Sequence, residues 1–192
     1  MSTIRMTVAA LTAVAVAAAG CTAQAPQADQ SAGSTIADEH GLAGLDARQM
    51  IERLDATPVA QRSTDLIASV QPDELVLTSG DRTQSVPMPN EEFYLAVAPY
   101  DSRTHECYFH SLTTCLGELR NEQVQVTVTD RATGATVVDD DVTTFDNGFV
   151  GIWLPRGLDG EITVEHDGRR ATAPISTSNP DDLTCLTSLR LA

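Results

Sequence analysis

Cys107, Cys115 and Cys185 constrain this chain more than any other residues, because three thiols act together only if the backbone brings them to one point. Cys107 and Cys115 lie eight residues apart in His105-Glu106-Cys107-Tyr108-Phe109-His110-Ser111-Leu112-Thr113-Thr114-Cys115. Cys185 lies near the C-terminus in Asp181-Asp182-Leu183-Thr184-Cys185-Leu186-Thr187. Fully extended, eight residues span about 26 Å at ~3.3 Å each. Two sulfurs on one metal ion, each about 2.3 Å from it, lie within roughly 4 Å of each other. The chain must therefore reverse between Cys107 and Cys115, and a loop or hairpin centred on Ser111 is expected. Thr113 and Thr114 argue against a helix there. Cys185 can join only if the C-terminal segment packs back against this loop.

Three thiolates that meet select a soft ion, copper(I) first. One added imidazole makes a Cys3His set, which also suits zinc. His105 and His110 are the candidates for that fourth ligand. On a strand His105 shares a face with Cys107, and His110 faces the other way unless the loop intervenes. Two thiolates can also give up two electrons and close a disulfide, while each copper(II) accepts one, so redox work at the same sulfurs stays open. So does a structural reading, with a Cys107–Cys115 disulfide and Cys185 buried and inert. Spacing alone does not choose among these.

The N-terminus explains why the thiol count matters. Residues 1–21 read as a lipoprotein signal peptide: Arg5, an apolar run from Met6 to Ala19, then Ala18-Ala19-Gly20-Cys21. That ending resembles a bacterial lipobox, with Ala18 where Leu is usual, and Cys21 is expected to carry the lipid. The run falls short of the roughly 18 residues of a spanning helix. The mature chain is therefore expected to be exported, and anchored by lipid to the outer face of the cell membrane. Exported chains meet an oxidising compartment. Of the four cysteines, three then remain, and three cannot all pair within one chain. An odd thiol points to a partner, a reactive group or a metal ligand. The formal charge of −15, one unit more negative once Arg5 is removed, argues against nucleic acid as a partner. It suits a soluble, acidic surface.

Along the chain, residues 22–36 are rich in Ala, Gln, Ser, Pro and Gly and read as a flexible tether. Leu42, Leu45, Met50, Ile51 and Leu54 recur at helical intervals between about Ala37 and Asp55, with Asp46 as a cap before Ala47. Thr57-Pro58 ends that pattern. Strand signals follow: Leu66–Val70, then Glu74–Thr78 and Thr83–Val86 about a Ser79-Gly80-Asp81 turn. Pro87, Pro89 and Asn90 break the pattern. The expected division is a small helix-plus-strand part over residues 37–90 and a metal-binding part over 91–192. Phe93–Ala98, Val124–Val128, Phe149–Leu154 and Glu161–Glu165 are further strands. Asp139-Asp140-Asp141 reads as a solvated edge, Asp146-Asn147-Gly148 as a turn and Trp153 as core. The fold class expected is mainly β with a small helical N-terminal part (α+β), the C-terminal part being an antiparallel Ig-like β-sandwich that carries the Cys-rich loop.

Three runs carry a resemblance. His105–Cys115, Val142-Thr143-Thr144-Phe145-Asp146-Asn147-Gly148-Phe149-Val150-Gly151-Ile152-Trp153-Leu154-Pro155-Arg156 and Thr184-Cys185-Leu186-Thr187 are similar to the CueP family of bacterial periplasmic copper-binding proteins. The likeness covers about half the chain, from roughly Phe93 to the end. It implies copper resistance in the cell envelope, with Cys107, Cys115 and Cys185 as ligands and His105 and His110 beside them. It further implies reduction of copper(II), delivery of copper to other envelope proteins, two domains and, for some members, a homodimer. The lipobox departs from members that are free in the periplasm. Two other functions remain as alternatives: a thiol oxidoreductase, which the lack of a CxxC motif disfavours, and a surface sandwich module with a structural disulfide.

Overall fold

The structure, a computed structural model, describes residues 34–192. The signal peptide, the lipobox Cys21 and the tether as far as residue 33 lie outside the described residues. Thr35 already belongs to the fold. It caps α1 (Ile36–Glu39) in a reciprocal box with Asp38, and Ile36 is buried. Among the described residues no helix is long and apolar enough to cross a membrane.

The helical stretch divides in two. Gly41 and Gly44 adopt positive φ, 69° and 73°, which ends the first helix and turns the chain. Asp46 then caps α2 (Ala47–Asp55), accepting from the Gln49 backbone while Gln49 reaches back to the Asp46 N–H. Met50 and Ile51 point into the core, and a 3-10 turn at Val59–Gln61 follows Pro58.

Eleven strands follow: β1 (Ile67–Val70), β2 (Glu74–Ser79), β3 (Arg82–Pro87), β4 (Glu92–Val97), β5 (His110–Ser111), β6 (Gln123–Asp130), β7 (Thr136–Thr143), β8 (Val150–Pro155), β9 (Asp159–His166), β10 (Arg169–Ser176) and β11 (Cys185–Leu186). They form three sheets, in the orders β3-β2-β1-β5, β10-β9-β6-β7 and β11-β4-β8. The architecture is mainly β with antiparallel sheets and a small helical N-terminal part, consistent with a β-sandwich. The β11–β4 pair is parallel. Gly80, at φ 58°, opens the two-residue link between β2 and β3, as a hairpin turn of the II′ kind requires.

β4 explains how the layers join. Phe93, Leu95 and Val97 face one core, shared with β6, β9 and β10. Tyr94, Ala96 and Ala98 face the other, shared with the helices, β1 and β2. A strand buried on both faces reads as a continuous apolar run rather than an alternating one, and Phe93–Ala98 is such a run. β6 and β9 alternate because only one face is covered. β7 is an edge strand and carries Asp139-Asp140-Asp141 exposed, a charge pattern that discourages edge-to-edge pairing. β10, at the opposite edge, was not legible: Pro174 and two arginines mask it, and an edge strand tolerates Pro because one row of its backbone groups has no ladder partner.

The segment after Cys115 is pinned to the turn at Asp146-Asn147-Gly148. The Gly117 N–H donates to the Asn147 carbonyl at 2.6 Å, and the Gly148 N–H closes the turn onto Phe145 at 2.8 Å. Gly148 has φ 78°, and a Cβ there would lie 2.6 Å from the Gly117 carbonyl carbon. Gly148→Ala is therefore expected to cost about 2–4 kcal/mol, from left-handed backbone strain plus overlap. Urea unfolding of the two proteins measures it.

Candidate metal centre

His110 and Ser111 form β5, pairing with Val70 and Ser69 of β1. The chain then reverses over Ser111–Cys115, with the Cys115 N–H donating to the Ser111 carbonyl at 3.1 Å. The Ser111 N–H in turn points at the Cys115 sulfur, 3.4 Å away. The reversal between Cys107 and Cys115 falls just after the expected centre: Ser111 itself lies on β5 and the turn residues are Leu112–Thr114. It also turns His110 inward, fully buried, whereas His105 lies half-buried in the irregular approach to β5.

Cys185 arrives on β11. Thr184, wholly buried, stitches that strand in place. Its hydroxyl donates to the Val70 carbonyl at 2.6 Å and accepts from the His110 N–H at 3.0 Å. The Thr184 and Cys185 N–H groups both donate to the Tyr108 carbonyl, at 3.0 and 3.1 Å, and the Ala96 N–H donates to the Thr184 carbonyl at 2.9 Å. One residue thus ties the tail to β1, to β4 and to the Cys107–His110 segment.

The result is a close group: one donor atom from each of Cys107, His110, Cys115 and Cys185 lies within 4.8 Å of all the others. Cys107 and Cys185 are joined as a disulfide, Cα atoms 5.7 Å apart, inside the usual range. The Cys107–Cys115 disulfide allowed by spacing is not the pair that forms, because the tail carries the Cys185 sulfur to Cys107. Among the described residues Cys115 is the free thiol, half-buried, its sulfur 3.5 Å from that of Cys107. The His110 Nδ1 lies 3.7 Å from the Cys185 sulfur. Sulfurs around one tetrahedral ion stand roughly 3.8 Å apart, so opening the disulfide by two electrons gives a donor set of the right size and softness for a copper(I) or zinc ion. His105 stands outside this group of four, its ring against Phe149 with centroids 6.2 Å apart. Cys21 lies outside the described residues.

The electrostatics favour thiolate. Burial pushes the Cys115 thiol up, but hydrogen bonding and charge from His110, the Ser111 N–H and His105 outweigh it and bring the thiol from 9.0 to about 7. His110 shows the converse. Burial opposes its charged form, yet Asp55 and Cys115 outweigh burial and raise its pKa. Arg62 adds positive charge nearby, donating through Nη1 to the Cys115 carbonyl at 3.2 Å, and burial lowers its pKa. Sequence reasoning missed Asp55, Arg62, Tyr94 and Thr184 as parts of this environment. Asp55 had a faint signal: an acidic residue at a helix C-terminus opposes the helix dipole.

A family model described as "Periplasmic copper-binding protein CueP" matches residues 49–190. The crystal structure of S.CueP is similar over 81% of this chain and 94% of that one, at 40% sequence identity and a TM-score of 0.76. Curated proteins give no match.

Because the Cys115 thiol sits near pH 7 rather than 9, its thiolate fraction rises through neutral pH. Iodoacetamide alkylation of the Cys115 peptide in metal-free, oxidised protein, followed by mass spectrometry, is expected to reach half its maximal rate near pH 7. In His110→Ala, which loses the imidazole, that midpoint moves to higher pH.

Proposed function

This chain belongs to the periplasmic copper-binding CueP family, and on that premise we propose that it sequesters copper(I) in the cell envelope through the thiolates of Cys107, Cys115 and Cys185 and the imidazole of His110. The observation that carries the reading is the convergence of these four donors within 4.8 Å. Three thiolates satisfy a soft monovalent ion better than a hard divalent one. Zinc fits the same set less selectively. His105 lies beyond the four and acts on Cys115 rather than on the ion. Copper resistance follows from the chemistry, since an ion buried among thiolates is withheld from other envelope proteins.

The same sulfurs support reduction of copper(II). Two thiolates of Cys107 and Cys185 lose one electron each and form the disulfide; two copper(II) ions gain one each and become copper(I). Cys115 and His110 remain to hold an ion. An external reductant must then reopen the disulfide before another cycle. The periplasmic family supports an exported chain, and we propose that residues 1–21 direct that export and that a lipid on Cys21 keeps the protein at the membrane. A homodimer is the expected assembly for some family members, and sedimentation reads it directly.

Reduced protein titrated with copper(I) against a chelator is expected to show one tight equivalent. Cys115→Ser weakens it by more than the roughly 10–100-fold typical of losing an outer-shell partner. Equal affinity in the two proteins removes the thiolate site. Mixing reduced protein with excess copper(II) under anaerobic conditions is expected to consume two thiols per chain as copper(I) appears, and unchanged thiols refute the reduction. In cells, Cys21→Ser is expected to move the protein from the membrane to the soluble envelope fraction, and an unmodified Cys21 in the wild-type N-terminal peptide contradicts the anchor.

A further inference from the structure

Asp55 is the last residue of α2 and only 2% exposed. A carboxylate at that place faces two penalties, the helix dipole and desolvation. Its surroundings repay both. Oδ2 accepts from the Tyr94 hydroxyl, which is itself buried on β4. Oδ1 accepts from the Asn147 side chain at 3.2 Å. The orientation of that amide is settled independently: the Asn147 Oδ1 accepts from the Phe149 N–H at 2.9 Å, and a backbone N–H can only donate, so Nδ2 must face Asp55. Oδ1 also faces the His110 Nε2 at 3.6 Å.

That last contact sets the orientation of the imidazole. His110 is fully buried, and its Nε2 has no hydrogen-bond partner closer than Asp55. The other ring nitrogen, Nδ1, points at the sulfurs. Space for the network is reserved by Gly151 on β8, where a Cβ would collide with the Tyr94 hydroxyl and come within 2.9 Å of Asp55 Oδ2. A neutral histidine carries one proton, and the nitrogen without it is the one that can bind a metal. Ligating histidines usually donate their other N–H to a carboxylate, which fixes the tautomer and makes the ligand nitrogen more basic.

We propose that Asp55, held by Tyr94 and Asn147, is the positioning residue that keeps the His110 proton on Nε2 and leaves Nδ1 bare toward the sulfur cluster as a ligand. The inference rests on the reading of His110 as a ligand in the proposed copper site. It assigns a task to the helical part of the chain, which supplies no ligand of its own: α2 delivers a carboxylate to the far side of the ligand ring. The role requires the 3.6 Å separation to shorten to an ordinary hydrogen bond. The competing arrangement puts the proton on Nδ1, donated to a thiolate, and leaves Asp55 as a purely structural anchor of α2 on β4.

Nitrogen-15 chemical shifts of His110 in reduced, metal-free, full-length protein, recorded at alkaline pH where the ring is neutral, distinguish the two without any variant. The Nε2–H tautomer is expected; the Nδ1–H tautomer overturns the proposal. In the second arm, Asp55→Ala is expected to lose the single tautomer and to weaken copper(I) binding about 10–100-fold, with the three thiols still titratable and circular dichroism unchanged. Asp55→Asn serves if Asp55→Ala does not fold, because one amide oxygen cannot accept from Asn147, Tyr94 and His110 as two carboxylate oxygens do. A folded variant with wild-type tautomer and wild-type affinity overturns the proposal. If wild-type protein binds no copper(I) tightly, the functional reading fails, and the tautomer measurement still decides the role of Asp55.

Discussion

Cys185 reaches the other sulfurs because the last short strand, β11, lies parallel to β4 and beside the segment that enters β5. A two-residue strand has little hydrogen bonding of its own. Thr184 supplies the rest, spending its hydroxyl on two buried backbone groups of different elements and its amide and carbonyl on two more. Buried polar groups are costly when unpaired, so these four partners specify one position for the tail. The cluster, the disulfide and the free thiol all depend on that position.

β4 is the second support. It carries two cores, one per face, and so fixes the metal loop relative to both the helical part and the distal sheet. Residues that look unrelated in the chain become neighbours through it. Asp55 from α2, Tyr94 from β4, Asn147 from the turn before β8 and His110 from β5 form one buried polar chain that ends at the sulfurs. The low dielectric that makes such a chain expensive when broken also strengthens each of its bonds. The same burial would push Cys115 toward the neutral thiol if His110 and the Ser111 N–H did not oppose it.

Much of this was legible in the residues themselves. The capping box at Asp46, the hairpin about Gly80, the alternating β6 and β9 and the double-faced run at Phe93–Ala98 each follow from a local pattern. The turn at Asp146-Asn147-Gly148 was legible, but Asn147 does more than turn: its side chain is a buried donor to Asp55. β10 escaped because an edge strand need not look like one. β5 and β11 escaped because two residues carry no period.

The sequence by itself determined that Cys107, Cys115 and Cys185 and the imidazoles of His105 and His110 are the candidate donors, that the chain must reverse near Ser111 to join the first two, and that runs around these cysteines resemble a copper-binding family, since these depend only on residue type and spacing. Tertiary structure alone decided which histidine faces the sulfurs, which cysteines join and which carboxylate stands behind the ring. Those choices rest on contacts between residues dozens of positions apart, and no local pattern records such a contact before β11 has paired along the edge of β4 and α2 has packed on its face.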